Sequence, residues 1–215
     1  MAITDARIER YLQGLLRGHD EAVLLEMEAE AQRRKFPMVG RMVGVTLEIL
    51  ARSIQARRVF ELGSGFGYSA YWFSRAVGPH GELYLTDTDP ANAERAADFL
   101  ARAGLDGPVR FHVGDALEAF RGVEDDFDIV FCDIDKHGYP KAWEAARERI
   151  RVGGMFICDN TLGFGAGTVV QELDGRAGEW IAAIREMNDA VVADERYLAN
   201  ILPIRDGVLV ALRIG

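Results

Sequence analysis

Apolar residues fall at helical spacing through the first quarter of the chain. Between residues 7 and 54 they include Ile8, Leu12, Leu15, Leu16, Val23, Leu24, Met27, Met42, Val45, Ile49 and Leu50, in steps that line one face of a helix and fit no alternating strand. The spacing predicts two or three helices before any strand. From Arg58 onward the pattern changes to short apolar runs at 59–62, 83–86, 109–113, 129–132 and 155–158, separated by helical stretches at 69–77, 90–103, 116–120 and 141–150. Strands alternating with helices predict a doubly wound, mostly parallel sheet. A helix at 180–191 precedes two further strands, 197–202 and 208–213, with Asp206-Gly207 in their connection. Asp-Gly between apolar runs is a hairpin signal, so the last strand is expected to run antiparallel beside its predecessor. The expectation is one α/β domain with a seven-stranded sheet, made of a helical segment, 1–55, and a core, 56–215.

Composition narrows the partners. The 215 residues are 49% hydrophobic and carry a net charge of −9, with acids spread along the chain. That leaves no basic footprint for nucleic acid and no attraction to an anionic membrane. The first residues have no apolar core after their first charge, and no apolar run approaches the ~20 residues of a membrane span, so a cytoplasmic location is expected. Cys132 and Cys158 each close a strand pattern and are expected as buried thiols, not as a disulfide or zinc site.

Candidate chemistry collects where strands end. The first strand runs into Glu61-Leu62-Gly63-Ser64-Gly65-Phe66-Gly67-Tyr68-Ser69, a glycine-rich turn that lets a nucleotide-like cofactor approach the backbone. A dinucleotide fingerprint would want Gly or Ala where Tyr68 stands, which counts against NAD. Glu61 suits a cofactor with an ammonium or hydroxyls better than one with phosphates. Asp87 ends the second strand, where a carboxylate accepts from ribose hydroxyls. Asp89 is better placed to cap the helix that begins at Pro90. Asp115 and Ala116 follow the third strand at a position suited to an adenine edge, with a plain N-cap at Asp115 as the alternative.

Two further strand ends carry Asp133-Ile134-Asp135-Lys136 and Asp159-Asn160. Asp133, Asp159 and Asn160 are hard oxygen donors that suit Mg²⁺, Mn²⁺ or Ca²⁺ and leave positions open for substrate oxygens. Strand-end capping and turn formation are their structural alternative. The chain has 22 Arg and only three Lys, at 35, 136 and 141. Arg cannot lose its proton at workable pH and Lys can, which marks Lys136 as a candidate general base. His137 reads as an exposed loop residue, and His112, Trp72, Trp143 and Trp180 as core or helix packing.

Together these motifs resemble the class I S-adenosylmethionine-dependent methyltransferases. Asp133-Ile134-Asp135-Lys136 with Tyr139, then Asp159-Asn160, then the terminal Leu202-Pro203-Ile204-Arg205-Asp206-Gly207-Val208-Leu209 resemble the metal-dependent catechol and caffeoyl-coenzyme A O-methyltransferases over about residues 37–215. The resemblance implies that Val39, Glu61, Gly63, Ser64, Ser69, Asp87, Ala116 and Asp135 contact S-adenosyl-L-methionine. It also implies that Asp133, Asp159 and Asn160 hold a divalent cation, that a hydroxylated aromatic small molecule accepts the methyl group, and that the protein is a homodimer. The chain departs from the pattern after Asn160: that family often places bulky residues there, Trp among them, whereas residues 161–167 are small and flexible with Phe164 as their one aromatic. Phe36-Pro37-Met38-Val39-Gly40-Arg41 follows the family's entry segment only loosely. Alternatives are a metal-independent or nitrogen-directed methyltransferase of the same fold, a non-catalytic cofactor-binding protein, and a nicotinamide dehydrogenase.

Overall fold

The computed structural model describes residues 6–16, 21–164 and 168–215. Residues 165–167 of the loop singled out above, and the chain's first five residues, lie outside that set. Three helices come first, α1 (Ala6–Leu15), α2 (Ala22–Arg34) and α3 (Gly40–Ser53). The buried stripe of α2 is Leu24, Met27 and Ala31, and that of α3 is centred on Val43, Leu47 and Ala51. Of the positions expected on the α3 face, Ile49 instead points outward at 61% exposure.

Seven strands follow, β1 (Arg58–Leu62), β2 (Glu82–Asp87), β3 (Val109–Val113), β4 (Phe127–Cys132), β5 (Ile150–Cys158), β6 (Tyr197–Leu202) and β7 (Val208–Arg213), in the spatial order β3-β2-β1-β4-β5-β7-β6. β7 runs antiparallel to both β5 and β6, as the hairpin signal requires, and the other pairings are parallel. The interleaved helices are α4 (Tyr68–Val77), α5 (Pro90–Arg102), α6 (Ala116–Gly122), α7 (Tyr139–Ala146) and α8 (Gly175–Ala193). Central strands are mostly apolar because both faces are covered, the charged exceptions being Arg58 and Glu61 in β1, Asp128 in β4 and Arg151 in β5. Val59, Ile129, Phe131 and Ile157 pack with α3 and α4 on one face; Phe60, Val130, Cys132, Phe156 and Cys158 pack with α7 and α8 on the other.

Three boundaries differ from the sequence expectation. The helix expected over 141–150 starts two residues earlier, at Tyr139, and stops at Ala146. Strand β5 begins at Ile150, five residues early, because a bulge opposite Phe127 and Ile129 carries Gly153-Gly154 through the ladder. Helix α8 begins at Gly175 and brings Trp180 to within 5.7 Å of Phe164 and 6.3 Å of His137, ring centre to ring centre, so Trp180 sits half-buried beside the loop and not in the core. Trp72 and Trp143 are fully buried as expected, and His112 stacks on Tyr84 at 6.1 Å. Among the described residues no helix is long and apolar enough to cross a membrane.

Candidate active site

Strand register assembles the site. Leu62, Cys132, Cys158 and Leu209 form one row across β1, β4, β5 and β7, so Gly63, Asp133 and Asp159 stand side by side at the next position of the three parallel strands. Two ladder bonds continue past the strand ends, from Asp133 N to Leu62 O at 2.9 Å and from Asp159 N to Cys132 O at 3.1 Å. The order of strands reverses between β1 and β4, the switch point at which open α/β sheets bind ligands.

Gly63 has φ +84°, and a Cβ there would stand 2.6 Å from the Asp133 carbonyl oxygen, so only glycine lets β1 and β4 close this tightly. Thr86 fixes the turn: its hydroxyl donates to Glu61 O at 2.8 Å and accepts from Gly63 N at 2.9 Å. Sequence reading passed over Thr86, which gives no signal beyond its place in a strand. Glu61 is fully buried; Ser69 donates to Oε2 at 3.0 Å and Oε1 has no hydrogen-bond partner. Burial pushes its carboxyl up to about 8, with the Ser64 and Ser69 hydroxyls opposing and Asp133 adding to the rise.

A cavity of about 310 Å³ opens above the row. Val39, Gly63, Ser64, Ser69, Asp87, Asp133, Lys136, Asp159 and Asn160, all sequence candidates, line it. An adjoining cavity of about 580 Å³ shares Gly63, Asp87 and Asp133 and is lined by Asp115, Ala116 and Asp135. His137, set aside as a loop residue, borders this second space. Asp87 Oδ1 accepts from Asp89 N at 2.8 Å and Asn92 Nδ2 at 3.2 Å, while Asp89 caps α5, as expected from its position. Asp115 does cap α6, accepting from Glu118 N at 2.9 Å, and it borders the cavity as well. Phe36, Pro37 and Met38 ahead of α3, and Arg205 and Asp206 between β6 and β7, which the motifs above include without a role, also line the first cavity.

Lys136 lies among the oxygen donors. Its Nζ is 2.6 Å from Asn160 Oδ1, 3.3 Å from Asp133 Oδ1 and 4.9 Å from the centre of the Tyr139 ring. Asn160 takes φ +54°, a left-handed conformation that Asn tolerates better than most residues. The chain leaving it is pinned by Thr161 N to Gly207 O at 3.1 Å and by Asn188 Nδ2 to Thr161 O at 2.8 Å. Tyr139 donates its hydroxyl to Asp159 O at 2.9 Å. Asp159 is 4% exposed, and its Oδ1 is buried without a partner. Burial first and Asp133 second push its carboxyl up to about 7; burial also raises Asp133, against the pull of Lys136 and Arg205.

Known proteins match this arrangement. The O-methyltransferase family model matches residues 18–214. The chain belongs to the O-methyltransferase family. It is thus a class I, S-adenosylmethionine-dependent O-methyltransferase, with the Rossmann-like sheet of that class. Catechol O-methyltransferase from Mycobacterium tuberculosis is 33% identical over 172 residues, which cover 79% of this chain and 78% of that protein. Probable caffeoyl-CoA O-methyltransferase 2 from Dictyostelium discoideum is 29% identical over 78% of this chain and 74% of its own length. Among solved structures, the O-methyltransferase TomG from Streptomyces achromogenes, involved in tomaymycin synthesis and solved in complex with SAM, superposes with a TM-score of 0.85 at 30% identity, covering 97% of this chain and 96% of TomG.

The donor set of this O-methyltransferase fits a hard divalent cation. Among the described residues no three His, Cys, Asp or Glu side chains form a metal cluster; the set is two carboxylates and one amide oxygen. Asp159 Oδ1 is an orphaned buried acceptor, and the Lys136 ammonium, placed between Asp133 and Asn160, shows that the donors already accommodate positive charge.

Proposed function

We propose that this O-methyltransferase is divalent-cation dependent and methylates one hydroxyl of a catechol-like acceptor. The observation that carries the reading is the partnerless buried Oδ1 of Asp159 beside Asp133 and Asn160. Asp133, Asp159 and Asn160 would hold the cation, which when bound supplies positive charge to the acceptor oxygen. A phenolic hydroxyl near pKa ~10 costs roughly 4 kcal/mol to ionise at pH 7, so charge at that oxygen and a nearby base are the two things the chemistry needs. Lys136, as the free amine, would accept the hydroxyl proton, and S-adenosylmethionine when bound would supply the methyl group to that oxygen. Phe36, Pro37 and Met38 supply an apolar wall that holds the ring and excludes water. The exposed Ile8, Tyr11 and Leu15 of α1 support a homodimer, as an apolar face for a second subunit.

The deciding experiment is methyl transfer from labelled S-adenosylmethionine to a panel of catechols, with Mg²⁺ and again with excess chelator. Product that vanishes with chelator and returns with metal is the expected result. Product that survives chelation refutes the cation and favours a second reading, in which the Lys136 ammonium at 2.6 Å from Asn160 itself fills the cationic position.

On the cofactor side, Asp87 would accept from the ribose hydroxyls, Val39, Ser64, Ser69 and Glu61 would hold the amino acid portion, and Asp135 and Ala116 would border the adenine. Asp87→Ala is expected to weaken S-adenosylhomocysteine binding roughly tenfold or more in calorimetry. Unchanged affinity would remove Asp87 from the ribose. Glu61 gives a proton signature. With its carboxyl raised to about 8, it is mostly neutral in the free protein at pH 7, and an ammonium brought beside it favours the ionised form. Cofactor binding at pH 7 should therefore release about one proton, and affinity should rise with pH toward 8. Calorimetry in two buffers of different ionisation enthalpy reads this directly. Glu61→Gln should release none; a wild-type protein that releases none refutes the ammonium contact.

A further inference from the structure

One charged side chain of the cavity wall, exposed to solvent and facing Asp133 and Asp159 only at longer range, is held in place without a direct ion pair. Arg205 lies in the β6–β7 connection at φ +51°, a left-handed conformation that is unfavourable for a non-glycine residue. Its Nη1 donates to the carbonyl of Met38 at 2.8 Å and to that of Val39. Gly40, at φ +74°, makes room, since a Cβ there would stand 2.6 Å from that same nitrogen. Two neutral oxygens thus fix the guanidinium. Arg41, Arg75, Arg151 and Arg196 each meet a carboxylate, while Arg149 and Arg213, like Arg205, bond carbonyl oxygens but stand away from the cavity. Among the described residues Arg205 meets none within ion-pair distance, and its Nε and Nη2 make no hydrogen bond. A guanidinium has five N–H donors in a planar fork that matches a carboxylate.

Its place in the cavity indicates which ligand it meets. The connection that carries Arg205 also backs the Asn160 side of the site, through Thr161 N to Gly207 O at 3.1 Å and Leu162 N to Asp206 O at 2.8 Å. The glycine turn and Ser69 approach from β1 and α4. Phe36, Met38, Lys136 and Arg205 all line this one cavity. Resting on the O-methyltransferase reading above, we infer that Arg205 recognises a carboxylate on the acceptor, which makes the acceptor an acidic aromatic diol and Arg205 a specificity-determining residue. The cofactor's own amino acid is the other possible source of a carboxylate, and the test separates the two.

Calorimetric titration of 3,4-dihydroxybenzoate, catechol and benzoate into the full chain saturated with S-adenosylhomocysteine and Mg²⁺ gives the acid-to-neutral affinity ratio. Wild type is expected to bind the acidic diol about tenfold or more tightly than catechol, Arg205→Gln to bring the two within about threefold, and Arg205→Lys to keep part of the preference. Equal affinities in wild type, or a preference retained in Arg205→Gln, overturn the inference. So does an equal loss for both diols, which would make Arg205 a clasp on Met38 and Val39 alone. A fall in S-adenosylhomocysteine affinity with the ratio unchanged assigns the carboxylate to the cofactor and also overturns it. An acid preference that depends on Arg205 and extends to benzoate, with no diol ever methylated, supports the inference while defeating the proposed reaction. Diols methylated without acid preference do the reverse, and binding by none of the three compounds defeats both.

Discussion

Asp159→Ala is expected to abolish cation-dependent methyl transfer, a loss exceeding the roughly 10–100-fold that even outer-shell partners of a metal are worth. The substitution removes the most buried oxygen donor of the set and leaves Asp133 and Asn160, too few hard ligands to hold a divalent ion against water. Turnover with saturating Mg²⁺ is the measurement; retained activity would argue for a cation-free route. The same carboxylate should cost the cation-free protein stability. Its folded value of about 7 lies above the ordinary 3.8, so the cost is absent below pH 4, grows as pH rises, and is complete above about 7. That displacement corresponds to at most about 4 kcal/mol. Asp159→Asn keeps the shape without the charge. With chelator present, its melting temperature relative to wild type should move in the variant's favour between pH 4 and pH 8. A difference that does not change with pH would show that the buried carboxylate is not strained.

Lys136→Ala should lower turnover by roughly 10²-fold or more with S-adenosylhomocysteine affinity little changed, the scale of a general base. The companion variant decides between base and fixed charge. Lys136→Arg keeps a cation near Asp133 and Asn160 but cannot give up its proton. If Arg is as slow as Ala, Lys136 moves a proton. If Arg restores most of the rate, the residue serves as a fixed cation and the base must be sought elsewhere.

Both variants act at strand ends that the sequence marks well, because the last four residues of β4 and of β5 are apolar and the first carboxylate after each stands out. Asp133 and Asp159 were legible for that reason. Their adjacency was not, since it depends on the register between β4 and β5, and the bulge around Gly153-Gly154 hid the start of β5. Side walls were harder still. Phe36, Pro37 and Met38 carry no periodicity, and Arg205 looked like part of an ordinary hairpin turn until its bonds to Met38 and Val39, well over a hundred residues away in sequence, were seen. Trp180 fitted a packed helix in the sequence, yet it stands edge-on to Phe164 at the loop.

The row of Gly63, Asp133 and Asp159 has a consequence for how such a protein can diverge. These positions are locked by main-chain bonds within the sheet, whereas the walls above them include two separate connections, at 36–39 and at Arg205 and Asp206. Reaction and substrate choice are thereby inherited on different parts of the chain. Changes in these two connections can retarget the protein to a new acceptor without disturbing the row, so chimaeras that exchange them between relatives should trade substrate preference while keeping the same chemistry.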